Sequence, residues 1–194
     1  MISTYLSSSL TFHSDKITTI MEEFGDIKIP VMMDWEDSLM SASAAYVTEN
    51  GGDILEIGFG MGISAGYIHS HSINSHTIVE NHSDIIPKAV EWASDKSNVI
   101  IVSQSWYDVK DSLGTFDGVF YDTFEDMNYG NFSSSLSTWT KSGTKVTFWN
   151  TLNEESNNHK IKSNYKQINI SAPDSASVYF RNGSTTYYMP MKEF

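Results

Sequence analysis

An α/β fold with a mostly parallel sheet, helices on both of its faces and an antiparallel C-terminal hairpin is predicted from three observations. Between residues 53 and 150, short runs that are apolar on both faces alternate with helical segments, the pattern of a buried parallel sheet. A glycine-rich turn follows the first of these runs directly. Near the end, "YKQINI" and "SVYFRNGSTTYYMP" have the texture of an antiparallel pair closed by an Asn182-Gly183 turn.

In chain order, Ser14 precedes "DKITTIMEEF", whose Ile17, Ile20, Met21 and Phe24 recur at helical spacing before Gly25, so a short amphipathic helix is expected. A second helix is expected from Trp35 to Glu49, with Asp34 as its N-cap and "NGG" as its stop. The strands follow as "DILEIG", "HTIVE", "NVIIVS", "FDGVFYD" and "KVTFWN". Between them lie the helices "ISAGYIHSH", "DIIPKAVEWAS" and "NFSSSLSTWT", with a weak segment before "FDGVFYD". The polar stretch "NEESNNHKIKSN" reads as a surface loop or a frayed helix. One domain over 1–194 is predicted: a helical N-terminal lid or substrate segment over 1–50, a cofactor-binding core over 51–150, and a shortened substrate and hairpin part over 151–194.

Composition narrows the partners. Twenty-four acidic residues against 12 basic ones give a formal charge of -12, and Arg181 is the sole arginine, so nucleic acid and anionic membranes are excluded as expected partners and a cationic substrate is favoured. With no cysteine, thiol nucleophiles and cysteine-held metals are excluded. The six histidines match no ligand spacing, and no metal is expected. "MISTYLSSSLTFHSDK" has no basic n-region or sustained apolar run, so a cytoplasmic protein, monomer or homodimer, is expected.

"LEIGFGMG" holds the strongest chemical signal. Glycines at 58, 60 and 62 follow the first strand, where doubly wound sheets bind ligands, yet the spacing is not that of a dinucleotide loop and no P-loop lysine is present. Glu56 inside the strand would repel a phosphate. An ammonium or sulfonium ligand suits it better, and S-adenosyl-L-methionine carries both. Glu80, ending "HTIVE", stands where a carboxylate would accept ribose hydroxyls. Five parallel strands plus an antiparallel pair likewise describe the Rossmann-like class I methyltransferase sheet better than a dinucleotide-binding one. Asp122 sits at the carboxyl end of the fourth strand, on the same edge. Taken alone it reads equally as a turn residue, and Asp34, Glu36 and Asp37 read equally as an acidic first helical turn.

"PVMMDWEDSLM", "GGDILEIGFGMGISA", "IVENHSD", "SWYDV" and "FDGVFYDTF", in this order, resemble guanidinoacetate N-methyltransferase, and the related arginine δ-N-methyltransferases share parts of the pattern. The resemblance covers residues 16–152 and returns at "YYMP". It implies that Glu36 grips a guanidino group and that Asp122 faces the same group and takes its proton. It places Phe59, Gly60, Met61, Gly62, Ile63 and Ser64 on the cofactor loop, Met32 and Met40 beside the cofactor, and Asn81 and His82 next to the ribose-binding Glu80. Trp106 precedes the position of the adenine-contacting acid, which Tyr107 fills here. Main-chain amides at Thr151 and Leu152 match those holding the substrate's carboxylate.

The activity expected from these residues is methyl transfer from S-adenosyl-L-methionine to a small guanidino compound, guanidinoacetate first, giving creatine. Arginine or another guanidino acceptor is the alternative. A protein that only sequesters the cofactor is the reading from another class, and retention of both Glu36 and Asp122 argues against it. Tyr5 and Phe12 in the first 13 residues are the aromatics available to stack over a ligand.

Overall fold

The computed structural model describes residues 4–21, 27–152, 154–173, 180 and 184–194. A seven-stranded sheet forms its centre in the order β6-β5-β4-β7-β8-β10-β9. Its parallel strands are β4 (Asp53–Ile57), β5 (Ser75–Val79), β6 (Val99–Val102), β7 (Phe116–Tyr121) and β8 (Thr140–Phe148). β10 (Thr186–Glu193) runs antiparallel between β8 and β9 (Asn164–Asn169). This is the predicted arrangement of five parallel strands with an antiparallel pair. The Asn182-Gly183 turn lies outside the described residues.

Both sheet faces are apolar, as the unbroken hydrophobic runs require. Leu55 and Ile57 of β4 join Trp106, Phe132 and Trp139 in one buried cluster, while Ile54 joins Leu39, Ala44 and Phe120 in the cluster on the other face. The helices contributing to these layers include α2 (Asp37–Val47), α3 (Ile63–Ser70), α5 (Trp106–Val109) and α6 (Phe132–Trp139). α4 (Ile86–Ala93) buries Ala89 in a third cluster with Phe59 and Ile78. The weak segment before β7 is thus a short helix.

One contact fixes the helix that precedes the sheet. A Cβ on Gly118, in the middle of β7, would collide with the carbonyl of Val47 at the end of α2. Glycine therefore lets α2 sit directly against the strand that ends just before Asp122. The helix that follows Glu36 and the strand that precedes Asp122 are seated on each other.

The first 33 residues differ from expectation. Among the described residues their elements are a one-turn helix, α1 (Thr4–Ser7), and an antiparallel sheet of β1 (Leu10–Phe12), β2 (Lys16–Ile20) and β3 (Lys28–Met33). The described part of the segment expected to be a helix thus forms strand β2. Ile17, Thr18 and Thr19 are all buried whereas Ile20 is 50% exposed, which no helical apolar face would give. Four consecutive β-branched residues favour an extended backbone, and β1 and β3 supply its hydrogen bonds. Phe24 and Gly25 fall outside the described residues.

The second helix forms, but Asp34 does not cap it. Residues Asp34–Glu36 make a 3-10 turn, and the amide of Met33 donates to Glu36 Oε1 at 3.0 Å. "NEESNNHKIKSN" is irregular over its described residues up to β9.

Candidate active site

The site starts where β4 ends. Gly58 has φ +92°, and a Cβ there would strike the main-chain oxygen of Asp122. Only glycine combines that backbone angle with so close an approach. The loop is also stitched to its neighbours: Gly58 N donates to Val79 O at 2.9 Å, and Asp122 N donates to Ile57 O at 3.0 Å. Met32 of β3 closes over the loop from above, its Sδ accepting from Met61 N at 3.2 Å.

A cleft with a cavity volume of about 130 Å³ opens over these strand ends. Glu36 and Asp122 both line it, together with Met32, Gly58, Phe59, Gly60, Ser64, Glu80, Asn81 and Trp106. The two acids thus share one cavity.

Their surroundings differ. Glu36 is 4% exposed and is held by the Met33 amide. Asp122 is half-buried, and among the described residues no hydrogen bond reaches its carboxylate. Burial, assisted by the negative charge of Glu56, raises the Asp122 carboxyl to about 7. Tyr187 of β10 feels both acids, and its phenol is pushed up first by burial and then by their charges. The Asn150 amide donates to the Tyr187 hydroxyl at 2.7 Å.

Glu80 organises the loop as well as facing the cleft. Its Oε2 accepts from Phe59 N at 2.9 Å, and its Oε1 accepts from Asn81 N and His82 N, each at 2.8 Å. A carboxylate offers about four lone-pair positions, so Oε2 has acceptor capacity left for a ribose hydroxyl.

Several residues marked from the sequence stand off the cleft wall. Glu56 is fully buried behind the loop, where it takes the hydroxyl of Ser64 and lies 2.8 Å from His76 Nε2. The first turn of α3 and strand β5 close over it, so it supports the loop without lining the cavity. Met40 belongs to the core, 1% exposed. Met61 packs on that core, and Gly62 and Ile63 open α3. His82 is wholly buried: its Nδ1 accepts from Asp84 N at 3.1 Å, so Nε2 carries the proton and donates to Tyr5 O at 3.1 Å. Tyr107 is 38% exposed and points away. Leu152 reaches neither cavity, and its amide is taken by Asn150 Oδ1 at 3.2 Å. Thr151 lines a second cavity, which shares Thr123, Glu125, Asp126 and Met127 with the first.

Sequence reasoning missed the loop after β7. Residues 123–128 all line the cleft, although only "YDT" drew attention. Their signal was positional, since they directly follow a parallel strand's carboxyl end. Tyr5 does reach the cleft with Leu6, its ring 5.0 Å from that of Phe124. Phe12 does not, and lies under Lys88 Nζ at 4.2 Å.

Sheet order, glycine loop and acid-lined cleft define a class I methyltransferase domain with S-adenosyl-L-methionine as its cofactor. The loop whose close approach excludes a Cβ, and walls that among the described residues supply carboxylates and no phosphate-binding cation, fit that sulfonium ligand. The model of the family "Guanidinoacetate N-methyltransferase" matches residues 11–171, and the chain belongs to this family. Two relatives named "Protein arginine N-methyltransferase 2" are 37% identical: that of Kluyveromyces lactis covers 63% of this chain and 31% of its own length, and that of Aspergillus fumigatus 70% and 32%. The chain therefore spans about a third of their length. Among solved structures, spermidine synthase from Thermotoga maritima superposes with a TM-score of 0.61 at 11% identity, covering 95% of this chain and 72% of that one. The yhhF protein of Escherichia coli gives 0.59 at 14%, covering 87% and 93%. Both show the fold.

Proposed function

We propose that this chain is an N-methyltransferase acting on the guanidino group of arginine, free or within a polypeptide. The observation that carries the guanidino assignment is the placing of Glu36 and Asp122 on the wall of one cleft beside the glycine loop. The bound cofactor supplies an electrophilic methyl group on a cationic sulfur. A guanidinium brought beside it is a second cation, and two such charges about 4 Å apart repel by about 4 kcal/mol at an effective dielectric near 20. Glu36 and Asp122 offset that repulsion and hold the guanidino plane through charge-assisted hydrogen bonds.

Asp122 acts as the base. A carboxyl raised to about 7 is matched to accept the proton that the guanidino nitrogen releases as it is methylated. Glu36, fixed by the Met33 amide, orients the acceptor.

The choice of arginine rests on the 37% identical relatives named for it. Within that choice the walls favour an arginine within a polypeptide, because among the described residues neither cavity carries a lysine or arginine to meet the carboxylate that guanidinoacetate and free arginine both bear. The matching Leu152 amide is already engaged. Guanidinoacetate is the second reading, favoured by the family model. Methyl transfer to guanidinoacetate, free arginine and an arginine-containing peptide separates the two. Glu36→Gln and Asp122→Asn should each lose at least about 100-fold in turnover. Wild-type rates in either variant would overturn the mechanism.

A further inference from the structure

At one end of the cleft the wall is formed by Gln104, Ser105 and Trp106, just after β6, together with Asp126 and Met127 from the loop after β7. A ligand whose reactive end lies by Asp122 and whose ribose lies by Glu80 has its base left to place, and this is the wall beyond Glu80 in the order β7-β4-β5-β6. The acid that the family resemblance puts at position 107 is absent. Tyr107 stands edge-on to Trp106, ring centroids 5.7 Å apart, and does not face the cleft.

Asp126 fills the gap from another part of the chain. Its Oδ2 accepts from Trp106 Nε1 at 2.5 Å and from the Tyr121 hydroxyl, and its Oδ1 accepts from Asn128 N at 2.8 Å. Three donors, one from α5, one from β7 and one from its own loop, fix the carboxylate on the cleft wall. Glu125, just before it, adopts φ +48°, an unfavourable angle for a residue with a side chain. Such a conformation persists only where the surroundings enforce it. About four lone-pair positions less three leaves Oδ1 with an acceptor to spend.

We propose that Asp126 recognises the exocyclic amino group of adenine in this chain, in place of the acid missing at position 107. Adenine offers a donor at that position and hypoxanthine an acceptor. A carboxylate, which only accepts, distinguishes them, whereas the amide of Gln104 can face either way and does not. The inference rests on the reading of the cleft as the cofactor site.

The experiment is a calorimetric titration of the full chain with S-adenosylhomocysteine and S-inosylhomocysteine, with thermal melts as the check on folding. Wild type should bind the adenine compound more tightly by on the order of tenfold or more. Asp126→Asn should shrink that preference by a similar factor, because its amide can also donate. Tyr107→Ala should leave the preference intact. An unchanged preference in Asp126→Asn, or its loss in Tyr107→Ala, overturns the proposal while leaving the cofactor site standing. Wild type binding neither compound overturns both. If melts show Asp126→Asn unfolded, Trp106→Phe carries the test, since it removes one donor orienting the carboxylate. The ratio of affinities should then narrow several-fold, and an unaltered ratio counts against the assignment.

Discussion

Asp122 concentrates the energetics of the site in one side chain. Its carboxyl is raised from 3.8 to about 7, so the folded state binds its proton more tightly than the unfolded chain does. The sign of the linkage follows: this group's contribution is most favourable below the unfolded value and is lost as pH rises towards 7. At pH 8 the chain carries an ionised acid that its surroundings disfavour. Asp122→Asn should therefore melt several degrees higher than wild type at pH 8, with the gap closing near pH 4, although it is the less active protein. Activity runs the other way, and kcat/KM of wild type should climb as pH passes through about 7, because the base must be ionised. A flat profile from pH 6 to 8 would count against Asp122 as the base. At Gly58 the constraint is steric. Gly58→Ala sets a Cβ against the Asp122 carbonyl at φ +92°, and should cost about 2 kcal/mol or more in a denaturant titration and remove cofactor binding.

Among the elements, α1 and β1 act as a cover held by side chains. His82 Nε2 donates to Tyr5 O, and Asp84 Oδ2 accepts the Leu10 amide at 2.9 Å. His82→Ala leaves the Tyr5 carbonyl unpaired and empties the space under its ring, 4.7 Å away. Cofactor affinity should fall roughly tenfold, with a smaller loss of stability, as calorimetry and melting would show. The parallel core was legible in the sequence because fully buried strands are apolar throughout, and "DILEI" and "FDGVFY" have no solvent face to disguise. β2 was not legible. Ile17, Ile20 and Met21 keep helical spacing by coincidence, and what makes them extended is the hydrogen bonding of β1 and β3, a tertiary fact. The cleft was legible in the same measure. Residues at strand ends, Asp122 and Glu80, line it as expected, and Glu36 could be placed only through its motif. His82 and Glu56, each one residue from a cleft-lining position, turn to bonds that no spacing reveals.

Over the whole molecule, the charge of -12 favours the approach of the cationic acceptor proposed above. A cationic acceptor entering a cleft lined by Glu36, Glu80, Asp122, Glu125 and Asp126 is drawn by a field that salt screens over about 10 Å at 0.1 M. kcat/KM for arginine should therefore decline as ionic strength rises from 20 to about 500 mM, with kcat changing less. An acceptor lacking net positive charge should show little such decline. No helix among the described residues is long and apolar enough to cross a membrane. The contact between Gly58 and the Asp122 carbonyl has a further outcome at this scale. Ledge and proposed base are one piece of masonry: any shift of the loop at Gly58 drags Asp122 with it, so the alignment the proposed mechanism needs is inherited from folding and is not assembled anew at each turnover.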